Sequence, residues 1–408
     1  MKYYIIFIVI LSIFLVSTGG FYDAKEISET VSVVAMAIDK GENMPLRVSF
    51  HIESASGKEE KTEAKESEDQ GKTDKKSKDV VTIEAPTILS AYARANSVNS
   101  LDLNIDNVKM VIFSKELSEE GLFTTVKELA SSTEFKNNSY LTVSKGKAED
   151  VLNNVSPEDE EYLSVYYEKI IFRHFRSATR NFLLSETYFS MIQEDGGDFM
   201  LPLVSVREND GFENSYKDDV NSNLTAGMIP KESKHKIEFL GGAVFSKGKL
   251  KGYLTESEML SAGFIMSFFA TRDISVEYPQ KSGKFVSLNL EELYESKFDI
   301  KTEENMKTKV KLYLKGTYEF ITEGDFNTLE KDFPEYLKET IKKDAEEVLK
   351  KCIFVYDADI FGIKKEAKKE FLTKKKMDEY KLFEKIKTGE FTVEVNLEMA
   401  ENGRFSER

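Results

Sequence analysis

The chain has 408 residues, with 57 Lys and Arg against 72 Asp and Glu, and a net charge of −15. Such an acidic surface argues against nucleic acid as a partner and against a peripheral grip on anionic lipid. A single cysteine excludes an intramolecular disulfide framework, and 40% apolar residues suffice for two or three packed domains.

Lys2 precedes an apolar run from Tyr3 to Val16, which ends in Ser17-Thr18-Gly19-Gly20. A positive start, a short apolar core and small residues read as a bacterial export signal over 1–20. The run is short of the roughly 20 residues of a membrane span, so the segment is either removed or kept as a short anchor. No second apolar run approaches membrane length.

Val33 to Ile38 reads as a strand. Asp39 to Asn43 supplies a turn, and Leu46, Val48, Phe50 and Ile52 alternate with polar residues, which together predict a β-hairpin. Residues 54–79 hold no apolar side chain larger than Ala. Such a segment cannot offset its ordering entropy by burial, so it is expected to be a disordered insert.

Beyond it, Ile83 to Ala95 reads as a helix and Val108 to Phe113 as a buried strand. Leu117 to Ala130 reads as one helix, Tyr140 to Val143 as a strand and Ala148 to Asn153 as a short helix. A long helical stretch runs from Pro157 to about Ile192, interrupted near Ser177. Phe199 to Val206 is extended, and Pro202 suggests a sheet edge. The polar stretch from Glu208 to Lys236 reads as a linker.

Ile237 to Phe245 and Leu250 to Leu254 flank Ser246-Lys247-Gly248-Lys249, a hairpin turn. Thr255 with Glu258 forms a capping-box pattern for a helix to about Phe269. Val286, Leu288 and Leu290 alternate, as do Val310, Leu312, Leu314 and Tyr318. Leu329, Phe333, Leu337, Ile341, Ala345, Val348 and Cys352 step by threes and fours as an amphipathic helix, with Asp332 and Pro334 suited to its first turn. Phe391, Val393, Val395, Leu397 and Met399 make a last alternating strand. The fold class expected is α+β and multidomain, ending in a domain of long antiparallel strands packed against a long amphipathic helix.

The inventory for catalysis is thin. His51, His174 and His235 show no metal-ligand spacing. Cys352 ends the apolar stripe of a helix and reads as a buried hydrophobe. Asp195-Gly196-Gly197-Asp198 lacks the alternating ligands of a calcium loop and reads as a helix-ending turn. Glu158-Asp159-Glu160-Glu161 suits a helix first turn. Gly241-Gly242 precedes a strand, so a turn is expected there. The phenylalanines are expected in cores, with Phe264, Phe268 and Phe269 best placed for an exposed patch. No catalytic, cofactor or metal residues are assigned.

Tyr22-Asp23-Ala24-Lys25-Glu26-Ile27 and Val33-Val34-Ala35-Met36-Ala37-Ile38-Asp39-Lys40-Gly41 resemble the opening of the Ger(x)C family, the C subunits of bacterial spore germinant receptors. Further along, Lys109 to Leu122 resembles the family's strand-then-helix segment. Gly242-Ala243-Val244-Phe245 with Lys249 to Leu254 resembles a C-terminal-domain hairpin, and Asp359-Ile360-Phe361-Gly362 its Asp-Ile-Phe-Gly segment, a packing or interface element. The resemblance spans most of 21–402. It implies an N-terminal germination-protein domain over 21–205 and a linker at 206–235. It further implies a C-terminal domain over 236–402, with 155–235 as a small middle domain if one forms.

The resemblance also implies a non-enzymatic, cofactor-free subunit acting with membrane A and B subunits in nutrient-triggered germination. Its place would be the outer face of the spore inner membrane. The family's lipid-carrying Cys is replaced here by Phe21, or by Gly20 if the alignment slips by one residue, so ordinary lipoprotein processing is not expected there. An extracytoplasmic solute-binding protein is the alternative, which would call for βαβ units around a cleft.

Overall fold

The structure is a computed structural model describing Tyr4 and residues 30–53, 80–157, 162–175, 182–192, 197–207, 223–268, 271–280, 282–303, 305–321 and 326–400. The export signal with Gly20 and Phe21, the 54–79 insert, the acidic run Glu158 to Glu161, Asp195-Gly196, Phe269 and residues 208–222 of the linker lie outside the described residues.

In chain order the elements are β1 (Thr30–Lys40), β2 (Leu46–Ile52), β3 (Val80–Ala85), α1 (Ile88–Val98), β4 (Asp102–Asn104), β5 (Met110–Phe113), α2 (Lys115–Glu120), α3 (Phe123–Ser131), β6 (Tyr140–Ser144), α4 (Ala148–Asn153), α5 (Leu163–Phe175), α6 (Leu184–Met191) and β7 (Phe199–Val206). They continue with β8 (Ile237–Ser246), β9 (Lys249–Leu254), α7 (Glu256–Met266), β10 (Thr271–Glu277), β11 (Phe285–Thr302), β12 (Met306–Ile321), α8 (Phe326–Lys350), α9 (Ile363–Lys368), α10 (Lys374–Tyr380), α11 (Leu382–Ile386) and β13 (Glu390–Ala400). A π-helical turn, Lys351–Val355, extends α8.

A large sheet runs in the order β3-β2-β1-β5-β6-β7-β8-β9, with β4 beside β1. Its centre is parallel: β1, β5, β6 and β7 pair in one direction, and antiparallel strands flank them on both sides. Parallel neighbours need crossovers, and α1 to α6 lie on those crossovers. The central strands accordingly lose their polar alternation: Val33 to Ile38 and Met110 to Phe113 are buried throughout.

The second sheet, β10-β11-β12-β13, is antiparallel except at its last pair. The long helix α8 lies between β12 and β13 in sequence and reverses the chain, so β13 returns parallel to β12 instead of antiparallel. The α8 stripe of Phe333, Leu337, Ile341, Ala345 and Val348 is buried, and the core-facing Phe391, Val393 and Val395 of β13 are buried as well. The protein is thus α+β and multidomain, with a long helix packed on its C-terminal strands.

Several local expectations are corrected. The helix expected from Ile83 starts only at Ile88, and Ile83 to Ala85 complete the strand β3, whose β-branched Val80, Val81 and Ile83 pair with β2 before Pro86 ends it. The helix from Leu117 to Ala130 is two helices, because Gly121 takes φ +128° and the Leu122 N–H donates to the Gly248 carbonyl at 2.9 Å, outside any helix. β7 is an interior strand; the register shifts between Pro202 and Val204, where the missing proline N–H is accommodated. Gly241 and Gly242 lie within β8, not before it. A Cβ at Gly242 would stand 2.7 Å from the Met200 sulfur, so glycine lets β8 close on β7. Pro334 sits inside α8, which starts earlier, at Phe326. The strand β10 and helices α9 to α11 were not foreseen. The hairpin β8–β9 pairs with β7, so the large sheet continues past the polar 206–235 stretch.

Candidate functional site at the junction of the two sheets

Parallel sheets bind ligands at the carboxyl ends of their strands, where helices begin. Here that place is filled from within. Asp39, the last-but-one residue of β1, accepts the backbone N–H groups of Ala148 at 2.7 Å and Glu149 at 2.9 Å. It caps α4, whose free donors would otherwise attract an anion. Burial pushes its carboxyl up to about 6, against the pull of the two N–H groups. Beside it, Glu149 takes Arg47 at 2.8 Å and the Thr82 hydroxyl at 3.1 Å, which joins α4 to β2 and β3.

Asp359 repeats the device in the C-terminal unit. It accepts the N–H groups of Ile363 at 3.0 Å and Lys364 at 2.6 Å, at the start of α9. The two family-like motifs, at Ile38-Asp39-Lys40-Gly41 and at Asp359 to Gly362, therefore each contribute a buried aspartate that holds a helix start.

Asp198 links the two units. Its carboxylate accepts the Ser246 hydroxyl at 3.0 Å, the Lys247 N–H at 3.3 Å, the Asp359 N–H at 2.8 Å and the Lys364 ammonium at 2.7 Å. The single Ser246 hydroxyl proton is shared between this carboxylate and the Asp357 carbonyl, 2.6 Å away. The expected turn around Asp198 thus becomes a clasp between the large sheet and the segment after α8. A second clasp lies nearby. Lys351 reaches Glu258 at 2.7 Å and the Tyr253 carbonyl at 3.2 Å, while the Tyr356 hydroxyl donates to the same carbonyl at 3.0 Å. Glu258 also closes the capping box with Thr255 at the start of α7, as its spacing predicts.

Between the clasped units lies a cavity of about 640 Å³, a size typical of small-molecule sites. Its walls come from β7, β8 and residues Leu224 and Ile229 on one side, and from α7, β10, β11 and α8 on the other. Most of the lining is apolar, including Leu203, Phe239, Leu260 and Phe264. Glu256, Arg272, Asp273 and Asp344 supply the charge. Burial lowers the Arg272 guanidinium and raises the Glu256 carboxyl, and each partly offsets the other's shift. Burial also pushes Asp344 up to about 6.

The residues weighed for chemistry do not converge on this cavity. His51 is buried and shares a 3.0 Å hydrogen bond with the Tyr167 hydroxyl; burial pulls its ring down to about 4. His235 lies in the irregular stretch before β8, and His174 is on α5. Burial pushes the Cys352 thiol up to about 12, and a thiol held protonated is a poor nucleophile at neutral pH. Among the described residues, no group of three or more His, Cys, Asp or Glu is placed to hold a metal ion. Phe264 and Phe268 are buried, so they form no exposed patch. The sequence did not single out Asp344 or Arg272. Asp344 left a signal, because it falls on the apolar stripe of α8, three residues after Ile341 and four before Val348.

Fold and site together define a multidomain α+β protein in which two sheets are clasped by buried carboxylates around an inter-unit cavity. Residues 23–206 match the family model for the spore germination protein N-terminal domain, and residues 240–403 match that for the spore germination B3/GerAC-like C-terminal domain. The chain belongs to this GerAC-like family of spore germination proteins, the Ger(x)C family. The crystal structure of the GerBC protein is similar, at 14% identity and a TM-score of 0.48, covering 89% of this chain and 96% of that one. No curated protein matches the chain.

Proposed function

We propose that the chain is the C subunit of a spore germinant receptor, working without a catalytic step beside membrane A and B subunits on the outer face of the spore inner membrane. The observation that carries this is the ordered match of both halves of the chain to germination-protein family models. The geometry is in keeping with a scaffold. Buried carboxylates are spent on helix starts and inter-unit clasps, and the thiol is buried and protonated. No described helix is long and apolar enough to cross a membrane. Retention by the partner subunits is part of the same proposal, because the apolar run from Tyr3 to Val16 is short for a membrane span. The division at 206–235 belongs to the same proposal as a boundary between the two family matches in sequence, not between the two sheets.

The test is affinity purification of the tagged chain from detergent-solubilised spore membranes. The A and B subunits should co-purify, and spores lacking the chain should lose the response to the nutrients that receptor serves. Normal nutrient germination in the deletion strain would sink the proposal.

A further inference from the structure

The carboxylates and the guanidinium on the cavity wall do not balance. Arg272, on β10, is offset by Glu256 of α7 and by its neighbour Asp273. Asp273 is further held by the Asn289 side-chain amide at 2.7 Å. Asp344 remains. It stands on the apolar stripe of α8 between Ile341 and Val348, and among the described residues it has no hydrogen-bond or ion-pair partner; its charged helix neighbours are Lys343, which favours its ionised form, and Glu347, which opposes it.

A half-buried carboxylate facing an apolar space is costly unless something positive reaches it. A hydrophobic side chain at this stripe position would have packed against the same walls at no such cost. The surplus charge of the cavity is therefore negative, and the surface around it is apolar.

We propose that this cavity binds a small organic cation, a protonated amine or amidine on an apolar body, with Asp344 meeting the charged head and the Leu203, Phe239 and Phe264 surfaces holding the body. The volume accommodates such a molecule and excludes a folded peptide segment. Because the walls come from both units, an occupant bridges β8 and α8 and stiffens the junction that the Asp198 clasp already ties. The inference does not depend on the receptor assignment: the cavity and its charge belong to this chain alone.

The experiment uses the purified full chain with three probes of one shape, hexylamine, hexanol and hexanoate, followed by calorimetry and ligand-observed NMR. The same measurements are repeated on Asp344→Asn, which keeps the side-chain size and removes a desolvated charge, so folding is not at risk. Hexylamine should bind more tightly than hexanol or hexanoate, and Asp344→Asn should weaken it tenfold or more while leaving hexanol unchanged. Equal hexylamine affinity in the variant would assign the binding to the acidic surface and overturn the proposal. Preference for hexanoate would give the site to Arg272, hexanol binding as well as hexylamine would reduce it to an apolar void, and silence from all three probes would remove it. Each of these results overturns the proposal.

Discussion

The carboxylate of Asp198 accepts the backbone N–H of Asp359 at 2.8 Å, joining the start of β7 to the segment after α8 across 161 residues of sequence. The same carboxylate holds the Lys364 ammonium and the Ser246 hydroxyl, and its side chain is only 3% exposed. One buried group therefore satisfies donors from both units.

Asp198→Ala leaves the Asp359 N–H and the Lys364 ammonium without their acceptor. Orphaning a buried donor costs about 1–3 kcal/mol, and Lys364, whose side chain is 26% exposed, regains some water. The expected outcome is a lower urea midpoint and early proteolytic cleavage near residues 356–364. Asp198→Asn keeps an acceptor and should lose less. A variant as stable as the parent would show that the clasp carries no weight.

His51 gives a pH signature. Its ring titrates near 4 in the folded chain, against an ordinary value of about 6.5 when unfolded. The unfolded chain therefore binds the proton first, and stability is lost as pH falls from about 6.5 to about 4, by about 3 kcal/mol in all. Asp39, Asp344 and Glu292 act in the opposite direction, since their raised values, about 6, 6 and 7, make the folded chain the tighter proton binder. The pair His51→Phe with Tyr167→Phe removes the histidine without orphaning the hydroxyl. Its stability relative to the parent should rise as pH falls through that window, read from urea titrations at pH 7 and pH 4.5.

Gly252 sits on β9 where a Cβ would stand 2.5 Å from ring carbons of Tyr356. Gly252→Ala should push the ring away, breaking its hydroxyl bond to the Tyr253 carbonyl and its contact with the Lys351 ammonium, 5.5 Å from the ring centre. The expected loss is about 1–3 kcal/mol. In a Tyr356→Leu background the same change should cost much less, because the obstructing ring is gone.

Residues 54–79 separate β2 from β3, yet His51 and Val80 are direct partners in the antiparallel pair. The chain leaves and re-enters the sheet at adjacent places. Replacing 54–79 by a four-residue turn should leave the fold intact and change stability by no more than about 2 kcal/mol, since each doubling of loop length costs only about 0.6 kcal/mol. Thermal unfolding of the shortened chain checks this; a much larger drop would mean that the insert packs.

Local signals were legible where the period of burial matches the period of the backbone. The alternation through β13, the stripe of α8 and the capping box at Thr255 and Glu258 stand in the structure as their spacing predicts, whereas the polar Ser49 and His51 of β2 are buried along with its apolar face. The ordered motifs from Tyr22 to Gly362 were enough to point to the family. Local pattern misled where a distant partner decides the outcome. Val81, Ile83 and Ala85 alternate with Thr82 and Glu84 as a strand, and pairing with β2 sets the boundary with the helix that follows. The helix after Ser114 breaks at Gly121 because the β8–β9 turn supplies a carbonyl to Leu122.

Sequence by itself determined which segments bury a face, because apolar spacing sets that, and which helix starts can cap themselves, because the cap and its donor are neighbours in the chain. Tertiary structure alone decided the parallel centre of the large sheet, the return of β13 alongside β12, and the meeting of Asp198 with Asp359. It also decided that Asp344 and Arg272 share one cavity. Strand direction and buried polar contacts depend on which distant backbone arrives, and hydrogen bonds between residues 161 apart leave no periodic trace in either partner's neighbourhood.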